Sequence, residues 1–132
     1  MIIGTGVDII EISRVQAAIE RNGERFLTRV FTAGEHAYCQ ARQLSAMHYA
    51  GRFAAKEAAF KALGTGWRKG LRLLDVQVSN DPLGAPSLTL IGGALERSRA
   101  LGVTGIHVSL SHQAEYAIAQ VILEGEAGRR GE

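Results

Sequence analysis

A chain of 132 residues with a formal net charge of +2 fits one domain that buries its own core. Its apolar fraction of 46% is typical of a globular protein, and the low net charge argues against nucleic-acid binding. A single cysteine, Cys39, excludes an internal disulfide. No apolar run is long enough to span a bilayer, and the first residues show no signal-peptide pattern. We therefore expect a cytoplasmic protein with no membrane or nucleic-acid partner.

The first half of the chain predicts one strand followed by helices. β-Branched residues at 2–10 predict a buried strand, in which Gly4 and Gly6 let another backbone approach closely. Apolar residues then recur at helical spacing, and Thr32 with Glu35 three positions later is a capping-box pattern. The predicted helices cover residues 11–22, 32–41 and the alanine-rich stretch 44–63, and residues 26–31 form a second short helix or a turn.

The second half predicts short strands around one further helix. The expected elements are strands at 73–79, 86–91, 106–110 and 115–123, with a helix at 92–101. The last strand is almost wholly apolar, which predicts burial on both faces. Residues 124–132 show no periodicity, so we expect a disordered tail after a domain of residues 1–123. This order predicts a single α+β domain with a mainly antiparallel sheet and a long central helix.

Two acidic residues stand beside apolar segments, where an ionised carboxylate is costly unless it is paired or coordinated. Asp8 lies in the first predicted strand, and Glu57 lies at the edge of the apolar stripe of the long helix. Together they offer the oxygen ligands that Mg²⁺ prefers, and Lys61 follows Glu57 by one helical turn. Two simpler interpretations stay open, namely Asp8 as a helix cap and Glu57 with Lys61 as a surface ion pair.

Polar residues also alternate along one predicted strand near the end of the chain. His107, Ser109 and Ser111 share one face, and His112 follows at the end of the strand. A solvated sheet face explains this pattern without any function. A zinc site is disfavoured because no cysteine or histidine pair has ligand spacing. A serine hydrolase is disfavoured because Ser109 lacks the G-x-S-x-G context.

Three stretches, taken together, resemble the bacterial holo-acyl-carrier-protein synthases. They are IGTGVDIIEISR at 3–14, GRFAAKEAAFKALGTG at 51–66 and HVSLSHQAEYAIA at 107–119. The order and spacing of the stretches are similar to those of the family, and so is the chain length. The resemblance implies a 4′-phosphopantetheinyl transferase fold and a homotrimer with active sites between subunits. It also implies Mg²⁺-dependent transfer of 4′-phosphopantetheine from coenzyme A to a serine of apo-acyl carrier protein.

The resemblance implies roles for five residues of the active site. Asp8 and Glu57 match the magnesium ligands, which act in catalysis together with Lys61. Lys61 matches a lysine near the phosphates of coenzyme A, where it offsets charge on the leaving group. Arg52 and His112 match positions at the nucleotide end of coenzyme A, including its 3′-phosphate. The identity of the general base stays open between a water and a carboxylate.

The resemblance also implies a docking surface for acyl carrier protein. Arg14 and Arg21 are seven residues apart and therefore share one face of the first helix, and Arg25 extends this patch. In the family this helix meets an acidic helix of the carrier protein. A solvated helix face is the alternative for these arginines. Between residues 40 and 47 the chain has one arginine, Arg42, where some relatives are more basic.

Two other functions remain open on the sequence. The first is a non-catalytic module that binds a carrier protein through Arg14 and Arg21. It leaves Asp8, Glu57 and Lys61 without a joint explanation. The second is a phosphopantetheinyl transferase of broader specificity that acts on other carrier domains. Such relatives are usually longer chains with two similar halves, so the length of this chain favours the carrier-protein type.

Overall fold

The computed structural model describes residues 1–66 and 70–126. The elements in these ranges are β1 (Ile2–Glu11), α1 (Ile12–Asn22), α2 (Glu24–Val30), α3 (Ala33–Gln40), α4 (Ser45–Leu63), a 3₁₀ turn (Leu73–Asp75), β2 (Val76–Asn80), β3 (Pro86–Leu90), α5 (Gly92–Leu101), β4 (Val103–Gln113) and β5 (Tyr116–Gly125). Among the described residues, no helix combines the length and the hydropathy needed to cross a membrane.

Every strand pairing within the described ranges is antiparallel. β5 lies between β1 and β4 in a three-stranded sheet, and β2 and β3 form a separate hairpin. α4 packs across the three-stranded sheet and contacts both β1 and β5. The predicted small α+β domain with an antiparallel sheet is therefore confirmed.

Strand boundaries differ from the sequence-based expectation at the edge of the large sheet. β5 continues past residue 123 to Gly125, because Glu124 pairs with Ile2 on β1 and with Gly105 on β4. The amino terminus of Met1 adds a hydrogen bond of 2.8 Å to the carbonyl of Gly125. The first two residues of the expected disordered tail are therefore strand. Residues 127–132 of that tail lie outside the described ranges.

The apolar sequence of β5 predicts burial on both faces, but within one chain only one face of this strand is buried. Ala117, Ala119, Val121 and Leu123 are at most 1% exposed and face α4 and the core. On the opposite face, Tyr116 is 44% exposed and Ile118 is 39% exposed. A single chain therefore leaves one apolar side of its central strand open.

Two glycines in β1 allow the sheet to lie directly on the backbone of α4. A Cβ atom at Gly4 would meet the carbonyl oxygen of Ala62 at 2.2 Å, and one at Gly6 would meet that of Ala58 at 2.0 Å. Only glycine permits this approach, as the sequence predicts. The next residue on the same face of β1 is Asp8, which the close packing places beside α4.

A buried ion pair fastens α3 and α4 to the start of β2. Lys56 and Glu35 are fully or almost fully buried, with Nζ of Lys56 at 2.9 Å from Oε1 of Glu35. Nζ also donates to the carbonyls of Leu73 and Val76. Glu35 in turn accepts from the backbone amide of Thr32, which confirms the predicted capping box. The capping glutamate thus has a second, tertiary partner.

Candidate active site

Asp8 and Lys61 meet at the surface between β1 and α4. Nζ of Lys61 lies 2.9 Å from Oδ1 of Asp8 and donates to the carbonyl of Val7 at 3.1 Å. The Asp8 side chain is 18% exposed and that of Lys61 is 52% exposed, so both groups are accessible to a ligand. Asp8 does not cap the first helix, because the N-cap position of α1 is Glu11. The helix-cap interpretation of Asp8 is therefore wrong.

Glu57 lies one helical turn before Lys61, on the same side of α4, and its side chain is half-buried. Magnesium is typically held by one or two protein carboxylates, with water and phosphate oxygens completing its shell. The carboxylate of Asp8 already binds one cationic group, the Lys61 ammonium. The described residues contain no group of three or more His, Cys, Asp or Glu side chains placed to hold a metal. Asp8 and Glu57 offer two carboxylates, which is the number and type of protein ligand that Mg²⁺ usually takes. A metal held by protein ligands alone would need more of them.

Arg52 and His112 line one cavity of about 190 Å³ between α4, the β2–β3 hairpin and β4. Arg52 is only 3% exposed, and its Nη2 donates to Oδ1 of Asn80 at the end of β2. Nε of Arg52 and Nε2 of His112 are buried and have no hydrogen-bond partner among the described residues. A Cβ atom at Gly51 would lie 2.8 Å from Nε2 of His112, so glycine leaves room for the imidazole ring against α4. A cavity lined by the cationic Arg52, with an unpaired N–H group at Nε, suits an anion.

Two further residues of this cavity, Tyr38 and His48, escaped the sequence-based prediction. The guanidinium groups of Arg42 and Arg52 lie 3.4 and 3.9 Å from the ring centroid of Tyr38. The ring of His48 packs edge-on against that of His112, with centroids 5.9 Å apart. His48 precedes Arg52 by four residues on α4, so helical spacing could have predicted that both lie on the same side of this helix. Tyr38 lies on α3, and no sequence pattern links it to α4.

The predicted site residues fall into two groups on the monomer. Asp8, Glu57 and Lys61 do not line the cavity of Arg52 and His112. At 3.6 residues per turn, Lys61 projects about 180° away from Arg52 around α4. A single chain therefore does not bring the carboxylate–lysine group and the Arg52 cavity into one pocket.

The three arginines of the predicted docking surface are all exposed. Arg14 and Arg21 lie on α1, with Arg21 in its last turn, and Arg25 lies on α2. The buried face of α1 is represented by Val15, which is 2% exposed. The arginines therefore stay available to a partner.

The histidine–serine pattern of β4 follows the predicted alternation. His107, Ser109 and Ser111 are exposed on one face, whereas His112 is half-buried and turned toward α4. Nε2 of His107 lies 3.0 Å from Oε1 of Glu124 on β5. This hydrogen bond lowers the pKa of the Glu124 carboxyl. His112 thus belongs to the cavity, whereas His107 belongs to the open sheet face.

Comparison with known proteins gives the same family on three grounds. The sequence profile of the 4′-phosphopantetheinyl transferase superfamily matches residues 4–121. A holo-[acyl-carrier-protein] synthase of Solibacter usitatus is 48% identical over 124 residues, covering 94% of this chain and 99% of the relative. A synthase of the same name from Anaeromyxobacter sp. strain K is 52% identical over 128 residues, covering 95% of this chain and 98% of the relative.

The solved structures that resemble this chain belong to the same family as its sequence relatives. The holo-(acyl-carrier-protein) synthase of Bacillus anthracis, in complex with CoA (3′,5′-ADP), superposes with a TM-score of 0.79 at 37% identity, covering 96% of this chain and 99% of the other. The Neisseria meningitidis enzyme gives a TM-score of 0.83 at 31% identity, covering 94% of this chain and 99% of the other. The chain therefore belongs to the holo-[acyl-carrier-protein] synthase family of the 4′-phosphopantetheinyl transferase superfamily.

Proposed function

We propose that this chain transfers the 4′-phosphopantetheine arm of coenzyme A to a serine of apo-acyl carrier protein, with Mg²⁺ bound by Asp8 and Glu57. The observation that carries the proposal is the contact between Lys61 and Asp8 beside Glu57, because it combines carboxylates for a cation with an ammonium for phosphate. Synthases of Helicobacter pylori and Bacillus anthracis have been solved with coenzyme A or its nucleotide part, which supports the same co-substrate here. The reaction supplies holo-acyl carrier protein for fatty acid biosynthesis in the cytoplasm.

The residues divide the work of the transfer between them. Arg52 and His112 hold the nucleotide end of coenzyme A, and the accessible ammonium of Lys61 donates to the pyrophosphate oxygens. The magnesium ion, when bound, offsets the negative charge of the pyrophosphate. The serine hydroxyl of the carrier attacks the β-phosphorus in line, forming a new P–O bond as the bond to adenosine 3′,5′-bisphosphate breaks. A carboxylate oxygen of Asp8 or Glu57, or a water beside them, accepts the serine proton.

The intact mass of an apo-acyl carrier protein tests this reaction. The carrier is incubated with the protein, coenzyme A and Mg²⁺, and a matched sample contains a chelator. A gain of one phosphopantetheine that requires the metal supports the proposal. If a folded protein and a competent carrier give no gain, the reaction is wrong for this acceptor. Carrier domains of larger synthases then test the broader-specificity alternative.

We further propose that the chain acts as a homotrimer, with active sites between subunits. The open face of the sheet carries Val7 (54% exposed) and Ile9 (60% exposed) on β1 and Ile118 on β5. Ile9 lies directly opposite Ile118, so their side chains form a contiguous apolar patch. The separation of Lys61 from the Arg52 cavity within one chain supports a site that a neighbouring subunit completes.

Light scattering of the purified protein tests the trimer. The expected mass is about three times the chain mass of 14.2 kDa. Ile118→Asp should lower the measured mass toward that of the monomer, because a buried unpaired carboxylate opposes association. Leu83→Asp is the matched control, since Leu83 is 96% exposed in the turn between β2 and β3, away from this face. A monomeric wild-type protein at micromolar concentration would overturn the proposal.

Charge reversal on α1 tests the docking surface for acyl carrier protein. The double variant Arg14→Glu and Arg21→Glu should raise KM for the carrier by about ten- to a hundredfold, because it repels an acidic partner. The increase should shrink at about 0.5 M salt, where such exposed charges are screened. KM for coenzyme A should stay unchanged. Arg29→Glu on α2 is the matched control, and an equal effect of both variants would exclude a specific surface on α1.

A further inference from the structure

The ammonium of Lys61 is held by two neighbouring residues of β1. Its Nζ lies 2.9 Å from Oδ1 of Asp8 and 3.1 Å from the carbonyl oxygen of Val7. Asp8 is 53 positions earlier in the chain, so this contact exists because α4 packs on β1. An ammonium has three N–H donors. Two of them are used on β1, which leaves the third for an incoming acceptor.

Of the two charged partners, Lys61 is the one that can move. The side chain of Asp8 is 18% exposed, whereas that of Lys61 is 52% exposed and ends a flexible four-carbon stem. β1 and α4 are packed backbone to backbone at Gly4 and Gly6, so the strand and the helix keep their spacing. A ligand that needs the Asp8 carboxylate therefore displaces the Lys61 side chain rather than a whole element.

The charges of this pair explain why such a displacement matters. The single negative charge of Asp8 is balanced by the single positive charge of Lys61 at 2.9 Å. A divalent cation that binds the same carboxylate meets this ammonium at close range and is repelled by it. An ion pair as exposed as this one is weak, so a competing partner can replace either member. Pyrophosphate is such a partner for Lys61, because its oxygens accept hydrogen bonds and carry negative charge.

We propose that Lys61 competes with the divalent cation for Asp8 and gives up this carboxylate when the pyrophosphate of coenzyme A arrives. The inference rests on the proposed function, in which Asp8 and Glu57 hold the cation and coenzyme A brings the phosphates. Before coenzyme A binds, the ammonium of Lys61 neutralises Asp8 and keeps the affinity for the cation low. In the complex Lys61 donates to phosphate, and Asp8 is released for the cation. The protein thus holds the cation tightly only together with its co-substrate.

This exchange couples the binding of coenzyme A to that of the cation. Each raises the affinity of the other by the same factor, because coupling between binding free energies is reciprocal. Bonds between the cation and phosphate contribute to the coupling in any case, and the part that Lys61 contributes disappears with its charge. Without coenzyme A, Lys61→Met should therefore bind the cation about three- to tenfold more tightly than the wild-type protein. The coupling factor should fall correspondingly.

Electron paramagnetic resonance of Mn²⁺ tests the inference, because free Mn²⁺ gives a signal that is lost on binding and the ion takes the same oxygen ligands as Mg²⁺. Mn²⁺ is titrated into the protein with and without coenzyme A, and a sample of coenzyme A alone gives the amount of ion that it binds in solution. Lys61→Arg keeps a positive charge within reach of Asp8, so its Kd for Mn²⁺ should stay within about twofold of the wild-type value. Arg99→Met removes an equal charge from the last turn of α5 and should likewise leave Kd nearly unchanged. Asp8→Asn should weaken Mn²⁺ binding in the presence of coenzyme A, which identifies the ion at this carboxylate.

Each outcome decides either the inference or the proposed metal site. A Lys61→Met variant that binds Mn²⁺ no more tightly than the wild-type protein without coenzyme A overturns the inference, while the metal assignment stands if Asp8→Asn weakens binding. Tightening of equal size in Lys61→Arg or in Arg99→Met excludes the charge beside Asp8 as the cause and also overturns the inference. Unchanged binding by Asp8→Asn overturns the assignment of the cation to Asp8, and this inference with it.

Discussion

Replacing Asp8 or Glu57 by alanine is expected to lower kcat/KM for modification of acyl carrier protein by at least about a thousandfold. Each substitution removes half of the protein carboxylate set that is proposed to hold Mg²⁺. Asp8→Ala also removes the partner of Lys61, whose ammonium lies 2.9 Å from Oδ1. Neither carboxylate is deeply buried, so the free energy of unfolding should change by less than about 1 kcal/mol. The rates come from intact-mass time courses over a series of Mg²⁺ concentrations.

Two controls sharpen this experiment. Glu96→Ala removes an exposed carboxylate from α5, far along the chain from both ligands, and should leave the rate unchanged. Asp8→Asn keeps the size and one oxygen donor but loses the charge, so it should need more Mg²⁺ than the wild-type protein and remain slower. Near-normal, magnesium-dependent turnover by Asp8→Ala or Glu57→Ala would show that the metal assignment is wrong.

Lys56→Met is expected to destabilise the fold by about 3–5 kcal/mol, because it leaves the buried carboxylate of Glu35 without its counter-charge. It also removes the donor of the Leu73 and Val76 carbonyls. For a chain of 132 residues this loss corresponds to a fall in Tm of about 10–20 °C. Burial lowers the pKa of Lys56, although the charge of Glu35 opposes this shift. Desolvation of the Lys56 ammonium therefore already reduces the stability that the ion pair contributes. Denaturant unfolding at one fixed protein concentration measures the effect.

The companion variants separate the ion pair from a general loss of packing. Glu35→Gln should also destabilise, because Glu35 accepts the backbone amide of Val78 at 2.7 Å as well as Lys56. The double variant should cost clearly less than the sum of the two single variants, since it leaves no buried unpaired charge. Lys61→Met on the same helix is the control, and its exposed ion pair should contribute less than about 1 kcal/mol. A loss for Lys56→Met no larger than this control would refute the structural role.

The network around the Lys56–Glu35 ion pair also supports the cavity that Arg52 and His112 line. Lys56 and Glu35 hold the start of β2, and β2 ends at Asn80, whose side chain accepts from Arg52. Weakening the network should therefore loosen the position of Arg52 as well. The pair had one visible signal in the sequence, the capping box of Thr32 and Glu35. That signal predicted a local role for Glu35 but not its ion pair with a residue 21 positions away on the next helix.

Local patterns were sufficient for most of the architecture. The apolar periodicity of α4 and the glycines of β1 predicted both elements, and the apolar neighbours of Asp8 marked it as a costly carboxylate that needs a partner. The alternation along β4 correctly separated His107 from His112. Strand ends were less accurate, because the length of β5 depends on backbone partners in β1 and β4 that are distant in sequence.

The fold class, the family resemblance and the residue types of both site groups could be read from the sequence, because they depend on periodicity and on motifs of neighbouring residues. The contact of Lys61 with Asp8 and the room that Gly51 leaves for His112 follow from the packing of distant segments. The tertiary structure also decided that His48 and Tyr38 join Arg52 around one cavity, and that one face of β5 stays open. These outcomes depend on how α4 lies across the sheet, and that packing is set by contacts between segments that no local pattern relates.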